Sequence, residues 1–392
     1  MSNPTLRFKS ANGLNFPDTV SCTLSDISKY SKGTIERKNC LFIGNEQLVS
    51  NFGGATLEFR TEAKGTEFNN GDILFGNIRP YLKKVWLSDQ SGIASPDVLI
   101  FKVTDSIPGY LKCILSSERF FNHVAQGYKG SKMPRGDKHQ IMDFRIQCPC
   151  LEEQQKIASF FSTLDQKIEL NERKLEALEK LKKGIGRRLL IKDPESQLEN
   201  SHWKIVRISE VADLITGFPF NSSDFSKSGI RLIKGANIKR GTLSFDQKTS
   251  SFWPSDAGLT KYALETGDLL VQMDGALIGE SFGRVTEDLL PALLVQRVTR
   301  IRATEDIIEI IYQIFCIGNF LKFVQSVKTN TAIPHISLQN IKDFEISIPE
   351  DVNELHKLAN FFRLLDAKIN LVKRKKELYT YLKSGFLQQM FI

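Results

Sequence analysis

Residues 156–185 read KIASFFSTLDQKIELNERKLEALEKLKKGI, and residues 357–386 read KLANFFRLLDAKINLVKRKKELYTYLKSGF. At a constant shift of 201 the two stretches agree at 15 of 30 positions. Unrelated segments of ordinary composition would agree at about two. In the first copy Ile157, Phe160, Phe161, Leu164, Ile168, Leu175, Leu178 and Leu181 recur at a spacing that puts them on one side of a helix. Leu358, Phe361, Phe362, Leu365, Ile369 and Leu382 repeat the pattern. So narrow a stripe on so long a helix calls for a long partner, and the other copy is the evident candidate.

The repeat extends backwards. Residues 107–149 align with 307–349 at a shift of 200, matching Phe120 with Phe320, Pro134 with Pro334, Asp143-Phe144 with Asp343-Phe344 and Ile146 with Ile346. Gly71-Asp72-Ile73-Leu74 answers Gly267-Asp268-Leu269-Leu270, and more loosely Leu24, Ile27 and Gly33 answer Ile208, Val211 and Gly217. The chain is therefore two copies of one module, each a globular part followed by a long helix. In module one, short apolar runs at 41–44, 72–76 and 98–101 predict strands among Gly and Asn turns. The spacing over 109–125 predicts a helix, residues 127–132 a loop, and 143–146 a short strand stopped by Pro149. Glu152 and Glu153 suit the first turn of the long helix. That helix is expected to fray at Gly184 and Gly186 and to end at Asp193-Pro194, with 193–201 as a polar linker.

The 392 residues exceed one ordinary core, and 41% hydrophobic with 25% charged residues describe a globular chain. A net charge of +8 permits a polyanionic partner without requiring one. MSNPTLRFKS has no apolar run of the signal-peptide kind, and 307–324 is interrupted by Glu309 and Lys322, so no membrane span is expected. The six cysteines make no CxxC pair, and Cys148-Pro149-Cys150 is a poor zinc spacing. This predicts ordinary thiols in a reducing, cytoplasmic compartment.

Catalytic signatures are missing. There is no phosphate-cradling GxxxxGK[ST], HExxH, GxSxG or (D/N)PP(Y/F) tetrad. A nuclease pattern can be forced from Pro17-Asp18 with Glu36-Arg37-Lys38, but module two has no counterpart. His123, His139, His202, His335 and His356 are scattered, with no metal spacing. A nuclease or DNA methyltransferase in its own right, or a plain coiled-coil scaffold, are the competing readings.

What remains is recognition. Arg79, Tyr81, Lys83 and Lys84 follow a predicted strand, and Lys129, Lys132 and Arg135 lie on a flexible loop. In module two Lys234, Asn237, Lys239 and Arg240 are similar in character, while Gln272, Arg297, Lys328, Asn330 and Thr331 fall where loops are expected. Arg, Asn, Gln and Lys can pair with base edges, and Lys, Ser and Thr can hold phosphates.

The architecture resembles the specificity subunit of type I restriction–modification systems. The residues that carry the likeness are 71–81, GDILFGNIRPY, 333–344, IPHISLQNIKDF, and 149–158, PCLEEQQKIA, followed by Phe160-Phe161 and Leu164-Asp165. The last resembles the family's PLxEQxxIAxxLxxLDxxI helix opening; the second helix departs from it at Glu354-Leu355-His356 but keeps Leu365-Asp366. The resemblance implies an α+β chain: two mixed target-recognition domains, 1–149 and 193–349, separated by long helices over 150–192 and 350–392. The helices are expected to pair as an antiparallel coiled coil and to act as a ruler between two halves of a split DNA target. It also implies no active site and no cofactor on this chain. The partners would be double-stranded DNA, two modification subunits using S-adenosylmethionine, and restriction subunits using ATP and Mg2+.

Overall fold

A computed structural model describes residues 6–191, 202–246, 251–329 and 331–391. The expected linker at 193–201 and the candidate Asn330 lie outside the described residues. The chain divides into two compact units: Met1–Arg173 with Lys373–Ile392 (unit 1), and Lys174–Val372 (unit 2).

Unit 1 runs β1 (Val20–Thr23), α1 (Leu24–Ile27), β2 (Ser28–Tyr30), β3 (Ile35–Ile43), β4 (Glu58–Phe68), β5 (Ile73–Gly76), β6 (Val85–Leu87), β7 (Gly92–Ala94), β8 (Val98–Val103), α2 (Pro108–Leu115), α3 (Glu118–Gln126), α4 (Lys138–Met142) and β9 (Arg145–Cys148). α5 (Leu151–Leu190) then leads into unit 2. One sheet has the order β2-β8-β5-β6, and β3, β4 and β7 pair among themselves. The expected helix over 109–125 is two helices, because Ser116 closes the first and the Ser117 side chain caps the second at Phe120 N. β9 begins at Arg145, later than expected, because Asp143 still closes α4 with a bond to His139 O.

Unit 2 follows this order with one short strand more, β13, as β10 (Trp203–Arg207), α6 (Ile208–Val211), β11 (Asp213–Thr216), β12 (Ile230–Ile233), β13 (Arg240–Gly241), β14 (Phe252–Trp253), β15 (Leu269–Gln272), β16 (Phe282–Arg284), β17 (Ala292–Leu294), β18 (Val298–Arg302), α7 (Glu305–Cys316), α8 (Asn319–Val327), α9 (Leu338–Lys342) and β19 (Glu345–Pro349). α10 (Val352–Met390) closes the chain and reaches back into unit 1. The repeat holds in detail. β1 pairs antiparallel with β9 and β10 with β19, and Leu24 N binds Phe144 O at 2.9 Å as Ile208 N binds Phe344 O at 3.0 Å. Gly71 and Gly267 both adopt positive φ, 89° and 93°, which glycine tolerates without strain. The carboxylates of Asp72 and Asp268 accept from Asn69 N and Glu265 N, each at 2.8 Å.

The register of β1 with β9 puts Cys22 and Cys148 diagonally across one face, with their sulfurs in contact and Cα atoms 6.4 Å apart. The expectation of six separate thiols did not include this close pair. The spacing in sequence gave no hint of it because 126 residues separate the two. Cys40, Cys113, Cys150 and Cys316 are free.

The long helices pair antiparallel within each unit. In unit 1 Phe160 packs edge-on to Phe386 at 5.1 Å, and Lys167 Nζ lies 5.4 Å over the Tyr379 ring. Asp165 bonds Lys383 at 2.6 Å and Glu172 bonds Lys376 at 2.5 Å. In unit 2 Lys182 bonds Asp366 at 2.5 Å. As α5 advances, its partner on α10 recedes. The stripe does more than join helix to helix. Ile157, Phe161 and Leu164 enter the core of unit 1 beside Leu111, Ile114, Leu387 and Met390, with Phe160 at its edge. Phe362 is fully buried in the core of unit 2 with Leu355 and Ala359, and Leu358 packs alongside. Leu365 is buried, and Ile168 and Ile369 are half-buried. Phe361 and Leu181 instead face outward, 41% and 51% exposed. α5 does not fray at Gly184 or Gly186 but runs unbroken to Leu190.

Among the described residues no single helix is long and apolar enough to cross a membrane. α7 and α8 are core helices of unit 2, where Ile310, Ile311, Ile314, Phe315, Phe320 and Val324 are buried. Glu309, buried on α7, is bonded to Arg284 at 2.8 Å and to Gln313 at 2.7 Å.

Candidate nucleic-acid interface

In unit 1 three distant segments are sewn together beyond the end of β5. Asn77 N donates to Asp97 O at 3.0 Å, and Arg79 N to Pro134 O at 2.8 Å. The buried Asn77 side chain donates to Gly136 O at 3.2 Å and accepts from Gly136 N at 3.1 Å. Lys129 and Arg135 exchange both backbone bonds at 2.9 Å. The two basic stretches singled out in the sequence, 79–84 and 129–135, therefore form one surface. Buried Asn77 locks them at its base.

The side chains divide. Arg79, Tyr81, Lys129, Lys132 and Arg135 are exposed. Arg135 bonds Asp97 at 2.9 Å, and Lys129 bonds Asp137. The Lys129 bond first, then the amides of Gln140 and His139, hold the Asp137 carboxyl down to about 2. Lys83 is half-buried, bonded to Glu118 and 5.8 Å over the Phe121 ring. Lys84 is buried, with Nζ donating to Asn45 O, and desolvation lowers its pKa. It shapes the site from beneath. A cavity of about 480 Å³ opens here, lined by Asn45, Arg79, Lys84, Asp97 and Met133 among others.

Unit 2 builds the same stitching with other side chains. Gly275 N donates to Pro334 O at 3.0 Å, Met273 N to Arg297 O at 2.9 Å and Thr329 N to His335 O at 3.1 Å. Gly275, Arg297, Thr329 and His335 thus stand where Arg79, Asp97, Lys129 and Arg135 stand in unit 1. The isolated bridge of Ile78 with Arg135 is matched by that of Asp274 with His335. The Lys234–Arg240 stretch is not the counterpart of the Arg79 stretch. It follows β12, which pairs in parallel with β17 as β3 does with β7, so Lys234 answers the residue after β3. Composition suggested the wrong equivalence, because topology and not charge sets it.

Within that stretch Asn237 is fully buried: its side chain accepts from Lys234 N at 2.9 Å and donates to Ser244 O at 3.0 Å. It holds a turn and presents nothing to a ligand. Lys239 and Arg240 are exposed, the latter paired with Glu280. Half-buried Lys234 reaches Ser251 Oγ at 2.9 Å. Gln272 lies against Gly235, where an added Cβ would meet its side chain at 3.0 Å. Lys328 is half-buried and closes α8 through its amide. Asp274 and His335 were missed in the sequence; only their place in the repeat marks them. Among the described residues no group of three or more His, Cys, Asp or Glu could hold a metal ion.

The model of the type I restriction modification DNA specificity domain matches this chain twice, over residues 18–180 and 200–379. The chain is 25% identical over 400 residues to the type I restriction enzyme MjaVIII specificity subunit of Methanocaldococcus jannaschii, spanning 94% of this chain and 91% of that one. The solved S subunit of a type I restriction–modification system from M. genitalium has the same fold, with a TM-score of 0.67 at 14% identity over 100% of this chain and 99% of that one. A structure from work on complex assembly and conformational transition of the type I system gives a TM-score of 0.55 at 16% identity, covering 95% and 97%. With both halves of the internal repeat matched, the chain belongs to the type I restriction–modification DNA specificity family.

Proposed function

We propose that this chain selects the DNA sequence on which a type I restriction–modification complex acts, reading a bipartite target with one recognition domain per half. The observation that carries this is the repetition of one stitched loop cluster, with exposed polar and basic side chains, in two units that share two continuous helices. Residues 1–149 and 193–349 serve as the two readers, and 150–192 and 350–392 as the ruler that fixes the unread spacer. Arg79, Tyr81, Lys129, Lys132 and Arg135 face the first half-site. Gln272, Lys239, Arg240, Lys328 and Thr331 face the second. The chain binds no cofactor. It docks two modification subunits that carry S-adenosylmethionine, and in the complete assembly restriction subunits that carry ATP and Mg2+, in the cytoplasm.

Two measurements test this. Methylation mapped with and without this chain should lose one split motif when the chain is absent. Binding of the assembled complex to that motif should fall steeply with salt, as phosphate contacts require. The purified chain alone should neither methylate nor cleave DNA, and turnover that survives repurification would overturn the reading.

A further inference from the structure

Each unit carries one exposed arginine beside one aspartate on its stitched loops, and the two pairs sit at different positions of the repeat. In unit 1 Arg135 Nη2 donates to Asp97 Oδ1 at 2.9 Å, with side chains 51% and 40% exposed. In unit 2 Arg297 Nε lies 4.0 Å from Asp274 Oδ2, with exposures of 65% and 31%. Arg297 occupies the place of Asp97, and Asp274 that of Ile78. Resting on the reading of these loops as the DNA-facing surface, we propose that the two Arg–Asp pairs determine specificity. Each reads one G·C base pair, the guanidinium at guanine O6 and N7 and the carboxylate at cytosine N4.

Charge is the first reason. A carboxylate in the middle of a phosphate-binding surface opposes binding, so Asp97 and Asp274 do not serve general affinity. Asp137 nearby is spent on Lys129 and the start of α4, whereas Asp97 and Asp274 each face an arginine, where a carboxylate can aim the guanidinium at a base or accept from a cytosine amino group. Rigidity is the second. Arg135 is held by two backbone bonds to Lys129, and the carbonyls of Asp97 and Arg297 are held by Asn77 N and Met273 N. Direct readout needs readers fixed in this way. The third is backbone conformation: Arg297 has φ of 67°, a left-handed geometry that non-glycine residues rarely adopt and that concentrates at functional sites. The different placement of the two pairs implies half-sites that differ in where the G·C pair falls.

The test uses the full chain assembled with its modification subunits, with methylated motifs mapped across a genome. Arg135→Ala and Arg135→Lys should relax one G·C position of one half-site by about 5- to 150-fold and leave the other half intact. Arg297→Ala and Arg297→Lys should do the same in the other half. The lysine variants keep the charge and lose the two-pronged geometry, so the salt slope of binding should be unchanged. Asp97→Asn and Asp274→Asn should relax the same position as their partner. If an alanine variant fails to assemble, the lysine variant decides. Full stringency in both lysine variants overturns the proposal. Lys132→Ala separates the two ways of failing. If it weakens binding to all sequences while the arginine variants keep the motif, the surface stands and the pairs are not readers. If it changes neither affinity nor salt slope, the surface itself is wrong.

Discussion

Asp165 takes an ion pair from Lys383 at 2.6 Å, and the internal repeat forms it again as Asp366 with Lys182 at 2.5 Å. A shift of 201 converts Asp165 into Asp366 and Lys182 into Lys383. Each long helix therefore carries an acid early and a base late. Antiparallel pairing brings acid to base twice. Parallel pairing would set acid against acid and base against base, so the charges help select the direction.

The Asp165 pair should show in the pH dependence of stability. Burial acts to raise this carboxyl, but the charges and hydrogen bonds of Lys112 and Lys383 outweigh it and hold its pKa below the usual value. A depressed folded pKa gives stability that is present above the unfolded pKa, roughly 3.9, and is lost as pH falls through the folded value. Asp165→Asn should cost about 1–3 kcal/mol at neutral pH, since it leaves two lysines without their acid. The gap between variant and parent in chemical denaturation should hold down to about pH 4 and close below it. A gap that persists at lower pH would show that packing, not charge, is lost.

Two glycines near the end of α5 should respond oppositely to alanine. A Cβ on Gly184 would meet nothing within 4 Å, so Gly184→Ala should stabilise by about 1 kcal/mol through helix propensity. A Cβ on Gly186 would stand 2.8 Å from Ile317 Cγ2, and overpacking of this kind costs about 1–3 kcal/mol. Gly186→Ala should therefore lower the melting temperature and Gly184→Ala raise it. Equal shifts in the same direction would mean that Gly186 is not a close-approach site.

Asn237 and Lys132 should separate structure from binding. Asn237→Ala removes two hydrogen bonds of a buried side chain and should destabilise unit 2 by about 1–3 kcal/mol. The motif read by whatever complex still folds should be unchanged. Lys132→Ala should leave the melting temperature alone and reduce the salt slope of DNA binding by about one. Thermal scans and salt titrations on both variants settle the assignment.

The ruler role predicts the outcome of lengthening. Opposite Glu179 of α5, in the register of the ion pairs, lies Ile369 of α10. Four residues inserted after each add about one turn, ~6 Å, to both helices while keeping the pairs matched. DNA rises about 3.4 Å per base pair, so the unread spacer should grow by about one or two pairs with both half-sites unchanged. The extra ~40° of rotation beyond a full turn is close to the twist of one base pair, roughly 34–36°. Inserting after Glu179 alone should instead throw one set of ion pairs out of register and destabilise the chain. Methylation mapping reads the spacer directly, and an unchanged spacer in a fully active double insertion would remove the helices from that role.

What could be read from the sequence depended on whether the physics was local. The long helices were visible because burial imposes a short period on apolar residues, and the repeat doubled that signal. Their ends were less visible: Gly184 and Gly186 look like breakers, yet neighbouring packing carries the helix through to Leu190. Ser116 and Ser117 divide a stretch whose apolar spacing looked continuous. In the loops, charge alone could not rank candidates. Asn237 has the chemistry of a base reader but spends it on its own turn. Asp274, Arg297 and His335 differ in type from Ile78, Asp97 and Arg135; the repeat aligns His335 with Arg135, and the backbone hydrogen bonds bring the other two positions beside it.

The ribbons β1–β9 and β10–β19 have a consequence for inheritance. Val20 faces Cys148, and Trp203 faces Pro349, so each globular part begins and ends on two neighbouring strands. Paired strands lie about 5 Å apart. Entrance and exit are thus a fixed doorway whose width does not depend on what the interior contains. A foreign reading domain grafted between two such strands would leave the path of the chain into the following helix unchanged, provided its own ends meet at that separation and its core accepts the apolar helix face that Ile157, Phe161 and Leu164 present. On the proposed reading, recombination at the doorways would exchange one half of a target for another in a single step, and leave the distance between the halves as it was.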